Sequence, residues 1–216
     1  MRGLFIDLDG TLADSLGVMR EAYAAFLKRF NKPSSEEEFN SLNGPPLQTV
    51  VSLLKEKHGL EESVDELLSI YWSLLDSAYS EVKPINGATE LLNLAQASGW
   101  KCAVVTSNNS RLCRNWLEAN KIADLISCVI GGEMVTAGKP DPEPYLTAIR
   151  QTECQASQSI CIEDSLSGIT SGLAAGLTVF GFSPHSVETK MPPLPSGVIA
   201  VRELREVSEW LARTNS

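Results

Sequence analysis

The sequence predicts an α/β fold, a parallel sheet covered by helices on both faces, with an all-helical segment inserted after the first strand. Three observations carry this. Short continuous apolar runs alternate with helical segments after residue 83, the pattern of strands buried on both sides. The segment 16–82 has helical periodicity and no convincing strand. The polar residues that stop the apolar runs are Asp7 and Asp9, then Thr106-Ser107-Asn108, then Glu163-Asp164. In open parallel sheets ligands sit beyond the carboxyl ends of the strands, so these residues are expected to converge on one edge.

Leu4-Phe5-Ile6 reads as a buried strand ending at Asp7, and Gly10-Thr11 as a turn. Leu16, Met19, Tyr23, Phe26, Leu27 and Phe30 share one helical face. Leu47, Val50, Val51 and Leu54 repeat that spacing, as do Val64, Leu67, Leu68, Tyr71, Leu74, Leu75 and Ala78. Residues 88–97 form the next predicted helix, which Gly99 is placed to end. A strand over 102–105 stops at Thr106, and a helix over 111–119 has Ser110 as its candidate cap. A strand over 128–130 and a helix over 143–151 follow. Next come a strand over 159–162 and a small-residue helix over 166–175, closed by Gly176. Short strands over 178–182 and 198–199 and a helix over 203–212 complete the chain. The economical organisation is an α/β core of residues 1–15 and 83–216 interrupted by a helical block of residues 16–82.

The chain has 216 residues, enough to bury a full core without disulfides or structural metal. An apolar fraction of 43% and a charged fraction of 21% are ordinary for a soluble globular protein. Few segments have a disorder-like composition, and the Pro-rich stretch at residues 191–196 comes nearest to it. A net charge of −9 argues against broad nucleic-acid binding and against docking on an anionic membrane. It also requires any anion site to be made locally positive by a metal, a lysine or backbone N–H groups. The cysteines Cys102, Cys113, Cys128, Cys154 and Cys161 are odd in number and lack a CxxC pair, so reduced buried thiols are expected. His58 and His185 are too few and too far apart for a His-based zinc site. The first apolar run breaks at Asp7, too early for a signal-peptide core, and no stretch is long enough to span a membrane. A cytoplasmic protein is expected.

Two carboxylates two residues apart at a buried strand end, Asp7 and Asp9, repel each other unless a cation neutralises them. Oxygen donors of this kind suit Mg²⁺. A carboxylate can attack phosphorus, and its neighbour can protonate the leaving group and then activate water. The alternative is a strand-ending turn with two solvated aspartates. A calcium loop fails on position, since Thr11, Leu12 and Val18 stand where Asp or Asn, Gly and Glu are needed. Thr106, Ser107 and Asn108 precede a helix and offer an anion cradle, or else simply cap it. Lys139, stiffened by Pro140 and Pro142, could neutralise a phosphoryl group, or be a surface lysine. Glu163 and Asp164 could complete a metal site with Asp7, or be acids favoured at a helix start.

Four motifs in order then resemble the haloacid dehalogenase-like hydrolase superfamily. They are Asp7-Leu8-Asp9-Gly10-Thr11-Leu12-Ala13-Asp14-Ser15, Val104-Val105-Thr106-Ser107-Asn108, Gly138-Lys139-Pro140-Asp141-Pro142 and Ile162-Glu163-Asp164-Ser165-Leu166-Ser167-Gly168. The resemblance covers nearly the whole chain. It implies a Rossmann-like core with a helical cap and a Mg²⁺ cofactor. It implies Asp7 as nucleophile and metal ligand, and Asp9 as general acid/base with its carbonyl on the metal. Thr106 and Lys139 would hold the phosphoryl group with the amides of Ser107 and Asn108. Asp164 would be a metal ligand, and Glu163 matches a ligand of the sugar-phosphate mutase branch. Dehalogenases lack an acid/base at the position of Asp9, so phosphoryl transfer is implied. The mutase branch carries a His and an Arg where this chain has Met19 and Leu47, which favours a phosphatase acting on a small phosphorylated metabolite. A sugar phosphomutase and an inactive binding protein on the same fold are the alternative readings. In the cap, Asn43-Gly44-Pro45-Pro46 is the candidate loop facing the site. Arg20 is a candidate for a substrate anion, against the plainer reading of a solvated helix-face arginine.

Overall fold

The computed structural model describes residues 1–42, 45–183 and 194–214. Asn43, Gly44, His185 and residues 191–193 of the Pro-rich stretch therefore lie outside the described residues.

The sheet contains β1 (Gly3–Ile6), β2 (Lys101–Val105), β3 (Cys128–Ile130), β4 (Ile160–Glu163), β5 (Thr178–Phe182) and β6 (Ile199–Val201). The spatial order is β3-β2-β1-β4-β5-β6 and every pairing is parallel. The runs of apolar residues are explained by two-sided burial. Leu4 and Ile6 of β1, Cys102 and Val104 of β2, and Ile160 and Ile162 of β4 face one core. Phe5, Ala103, Val105 and Cys161 alternate onto the other. Helices α5 (Ala88–Ala97), α6 (Ser110–Ala119) and α9 (Leu204–Thr214) cover the first face, and α7 (Glu143–Thr152) and α8 (Leu166–Ala174) the second. This is the Rossmann-like α/β fold expected.

Between β1 and α5 the described residues hold α1 (Leu16–Arg29), α2 (Glu36–Ser41), α3 (Leu47–His58) and α4 (Val64–Tyr79), and no strand. Their apolar faces pack together, with Phe26 and Tyr71 rings 4.9 Å apart. The two chain crossings between this block and the sheet run side by side. Asp14 N–H donates to the Lys83 carbonyl at 2.9 Å, and Ile85 N–H to the Leu12 carbonyl at 2.9 Å.

Local signals account for most boundaries. Ser63 and Glu66 form a capping box at α4, and Gly59 ends α3 in the left-handed conformation. Two details differ from the sequence expectation. Asn109 caps α6, its side chain accepting from Arg111 N–H, and Ser110 is already helical. Helix α2 was not predicted because six residues are too few to show periodicity. Its start is nevertheless written in Ser35, whose side chain accepts from Glu38 N–H. All five cysteines are free; Cys128 is half-buried and the others are buried. Among the described residues no helix is long and apolar enough to cross a membrane.

Candidate active site

The strand register builds the site. Ile6 lies opposite Val104 on one side and Ile162 on the other, so Asp7 falls level with the ends of β2 and β4. Asp7 N–H continues the ladder by donating to the Ile162 carbonyl at 3.1 Å. The chain then turns sharply. Ala13 N–H donates to the Leu8 carbonyl at 2.8 Å, and Gly10 adopts φ 81°. Glycine is required there twice over, because a Cβ would also overlap the Asp164 carboxylate. The turn carries Asp9 onto the same cavity as Asp7. Ser15 Oγ donates to Asp9 Oδ1 at 2.7 Å, and Asn108 Nδ2 to Asp9 Oδ2 at 3.2 Å.

Lys139 reaches this edge from the loop before α7 and is 5% exposed. Its Nζ donates to Asp7 Oδ1 at 2.6 Å and to the Val105 carbonyl at 2.8 Å, and lies 2.5 Å from Glu163 Oε1. Three acceptors satisfy the three ammonium protons. Glu163 is fully buried; Tyr145 donates its hydroxyl to Oε1 at 2.5 Å and Ser165 to Oε2 at 3.3 Å. A Cβ at Gly168 would overlap the Glu163 carboxylate, so α8 approaches closely only with glycine there. Thr106, buried at the end of β2, accepts the Asn108 backbone N–H on Oγ1 at 2.9 Å, which shapes the turn before α6.

Electrostatics follow from this crowding. Burial first, and the Asp7 carboxylate second, push the Asp9 carboxyl up to about 6 against the bonds from Ser15 and Asn108. Burial also raises Glu163 and Asp164, and neighbouring carboxylates add to it. Burial alone would lower the Lys139 ammonium, but Asp7 and Glu163 outweigh it and hold it above the ordinary lysine value. One lysine thus serves a group of four acids. Asp7, Glu163 and Asp164 each offer a carboxylate oxygen, all within 4.8 Å of one another. An all-oxygen, multiply acidic donor set fits a hard divalent cation such as Mg²⁺. The Asp9 carboxylate is turned instead to Ser15 and Asn108.

Above these residues lies a chamber of about 100 Å³ between the sheet edge and the helical block. Asp7, Asp9, Thr106, Ser107, Asn108 and Lys139 line its floor. Its roof comes from α1 to α4.

A family model described as haloacid dehalogenase-like hydrolase matches residues 4–182, which includes all four motifs and the whole site. The chain belongs to the haloacid dehalogenase-like hydrolase family. A validoxylamine A 7'-phosphate phosphatase of Streptomyces hygroscopicus is 31% identical over 208 residues, 93% of each chain. A phosphorylated carbohydrates phosphatase of Thermotoga maritima is 25% identical over 208 residues, 96% of each chain. The solved structure of β-phosphoglucomutase from Clostridium difficile matches 100% of this chain and 96% of its own with a TM-score of 0.84. At 16% identity that likeness is one of fold.

All the predicted site residues of this haloacid dehalogenase-like hydrolase meet at the carboxyl edge of β1, β2 and β4. Met19 and Leu47 line the chamber, as does Pro45 of the candidate loop. Arg20 does not; it lies 3.5 Å from Glu36 with its side chain 54% exposed, the plainer of its two readings. Sequence reasoning missed Ser15 and Tyr145. Ser15 is the last residue of the first motif, so its position was visible and only its bond to Asp9 was not. Tyr145 sits in the first turn of α7 and carried no signal, because its partner Glu163 is remote in sequence.

Proposed function

We propose that this hydrolase cleaves small phosphate monoesters through a covalent aspartyl-phosphate on Asp7, with Mg²⁺ as cofactor. The observation that carries the reading is the pairing of two strand-end carboxylates with opposite environments. Asp7 is held by the Lys139 ammonium, whereas Asp9 is pushed up to about 6 and oriented by Ser15 and Asn108. A nucleophile has to be ionised, and a general acid has to hold a proton near neutral pH.

In the first step an Asp7 carboxylate oxygen bonds to phosphorus as the ester P–O bond breaks. Asp9 gives its proton to the departing alkoxide, releasing the alcohol. In the second step Asp9 takes a proton from water, whose oxygen attacks phosphorus and displaces Asp7, releasing inorganic phosphate. Lys139 and the Thr106-Ser107-Asn108 turn offset charge on the phosphoryl oxygens. Asp7 and Asp164 would hold Mg²⁺, with the Asp9 carbonyl as a further donor and Glu163 beside them. When bound, the cation neutralises acids and phosphoryl oxygens together. The block of residues 16–82 acts as a cap that excludes bulk water.

The named relatives, both phosphatases, support hydrolysis. So do Met19 and Leu47 in the chamber wall, where a mutase of the resembling branch has His and Arg. The test is phosphate release from p-nitrophenyl phosphate with and without Mg²⁺, for the parent chain and Asp7→Asn. Loss of turnover on removing either the metal or the Asp7 carboxylate is expected. Rates indifferent to both would refute the mechanism.

A further inference from the structure

We propose that the ester cleaved here carries an apolar alkyl or aryl leaving group, in preference to a polyhydroxylated or carboxylated one. The inference rests on the phosphate-ester reading above and names the substrate class of that same site.

The chamber is divided by chemistry. Its polar residues sit at the sheet edge, where the phosphoryl group and metal are placed by the proposed mechanism. The rest of the ester must project toward the helical roof. There α1 contributes Leu16 and Met19, and α3 contributes Leu47 and Val50. Helix α2 adds Phe39 and α4 adds Leu75. Among the described residues, Tyr71 is the one roof residue with a side-chain oxygen, and its ring is fixed against Phe26; Met19 Sδ faces Ser15 Oγ at 3.8 Å. No charged side chain of α1 to α4 lines the chamber among the described residues. Among the described residues, the one cation lining the chamber is Lys139, whose three protons already serve Asp7, Glu163 and the Val105 carbonyl.

Such a roof rewards apolar surface and offers few hydrogen bonds. A leaving group with several hydroxyls would leave most of them desolvated without partners. A carboxylate would be worse, meeting the acids of the floor and, among the described residues, no cation besides the committed Lys139. Each buried methylene, by contrast, strengthens transition-state binding.

The experiment compares kcat/KM on matched primary-alcohol esters with Mg²⁺. n-Propyl phosphate is set against glycerol 3-phosphate, and ethyl phosphate against phosphoglycolate. The first pair differs in hydroxyls, and glycerol is the more acidic leaving group, so chemistry alone would favour glycerol 3-phosphate. The alkyl ester is expected to win by at least about tenfold in each pair. From ethyl to butyl phosphate, kcat/KM should rise about threefold per methylene. In Leu47→Arg, at a half-buried wall position, the ethyl phosphate to phosphoglycolate ratio should shrink by at least about tenfold. Equal or reversed ratios in the parent enzyme, with phosphate still released, overturn the substrate class and leave the phosphatase reading intact. An unchanged ratio in folded Leu47→Arg also overturns it. No phosphate release from any ester, p-nitrophenyl phosphate included, overturns both.

Discussion

Replacing Lys139 by methionine tests the charge balance of the site most directly. Lys139 is 5% exposed, and its ammonium sits 2.6 Å from Asp7 and 2.5 Å from Glu163. Methionine fills similar volume, so the loss is electrostatic: two carboxylates remain, one of them fully buried, without their cation. Removing one partner of a buried pair costs about 3–5 kcal/mol. A chain of this size loses about 2–4 °C in Tm per kcal/mol, so metal-free Lys139→Met should melt at least about 6 °C below the parent near pH 8. The sign with pH follows from Glu163, whose folded value is already raised by burial and loses in Lys139 the group that lowers it. A carboxyl raised in the folded state stabilises below its unfolded value and loses that stability as pH rises through the folded value. The deficit of Lys139→Met should therefore shrink toward about pH 5. Adding Glu163→Gln removes one orphaned charge, so the two substitutions should couple by about 1–3 kcal/mol in a double-mutant cycle. Urea unfolding monitored by circular dichroism, in EDTA, measures all four corners. A single-variant cost under about 1 kcal/mol, or additivity within about 0.5 kcal/mol, would refute the buried-pair reasoning.

Four further outcomes are expected. Asp9→Asn should lower kcat by at least about a hundredfold, as loss of a general acid does. The same change should stabilise the metal-free protein near pH 7 by up to about 3 kcal/mol, because Asp9 rises from 3.8 to about 6 on folding; the gain should vanish below about pH 4 in thermal melts. Mg²⁺ at about a hundred times its Kd should stabilise the parent chain by about 2.7 kcal/mol, and Asp164→Asn should abolish most of that shift; an equal shift in the variant would place the cation elsewhere. In the helical block, Glu38 accepts from Tyr23, His58 and the exposed Lys57, which together hold it below the ordinary value against burial. Its stabilisation is present above the unfolded value and lost on acidification through the folded value, so Glu38→Gln should destabilise at neutral pH and much less near about pH 3 in the same melts.

The sheet and the ring of strand-end residues were legible in the sequence because two simple periodicities encode them. Continuous runs such as Cys102 to Val105 can only be buried on both faces, and the polar residue ending each run marks the ligand edge. What stayed hidden depends on side-chain direction after folding. The bond from Ser15 to Asp9 exists because the Gly10 turn folds back within six residues. Tyr145 meets Glu163 only after α7 packs across β1, β2 and β3. Gly168 was readable as a small residue, not as the gap that admits a buried carboxylate. The apolar roof was hidden for a different reason. Leu47, Val50 and Leu75 repeat at helical spacing, and a face that lines a cavity has the same pattern as a face that fills a core. Periodicity cannot tell a wall from an interior.

That distinction bears on how an acidic chain handles an acidic substrate. With a net charge of −9 and four carboxylates around one committed lysine, the floor of the chamber repels phosphate as it stands. A divalent cation among Asp7, Glu163 and Asp164 would bring that group nearer neutrality, and the donors of the Thr106 turn and Lys139 could then face the phosphoryl oxygens. On the proposed mechanism cation and phosphate binding would be coupled: each would make room for the other's charge, by the same factor in either order. The roof takes no part in that exchange, since it carries no charge among the described residues. On that reading, recognition of the phosphoryl group and recognition of what it is attached to are physically separate. Under the proposed mechanism the first is electrostatic and set by Asp7, Lys139 and Asp164. Under the proposed substrate class the second is apolar and set by side chains from four helices, of which Met19 also meets Ser15, the residue that orients Asp9.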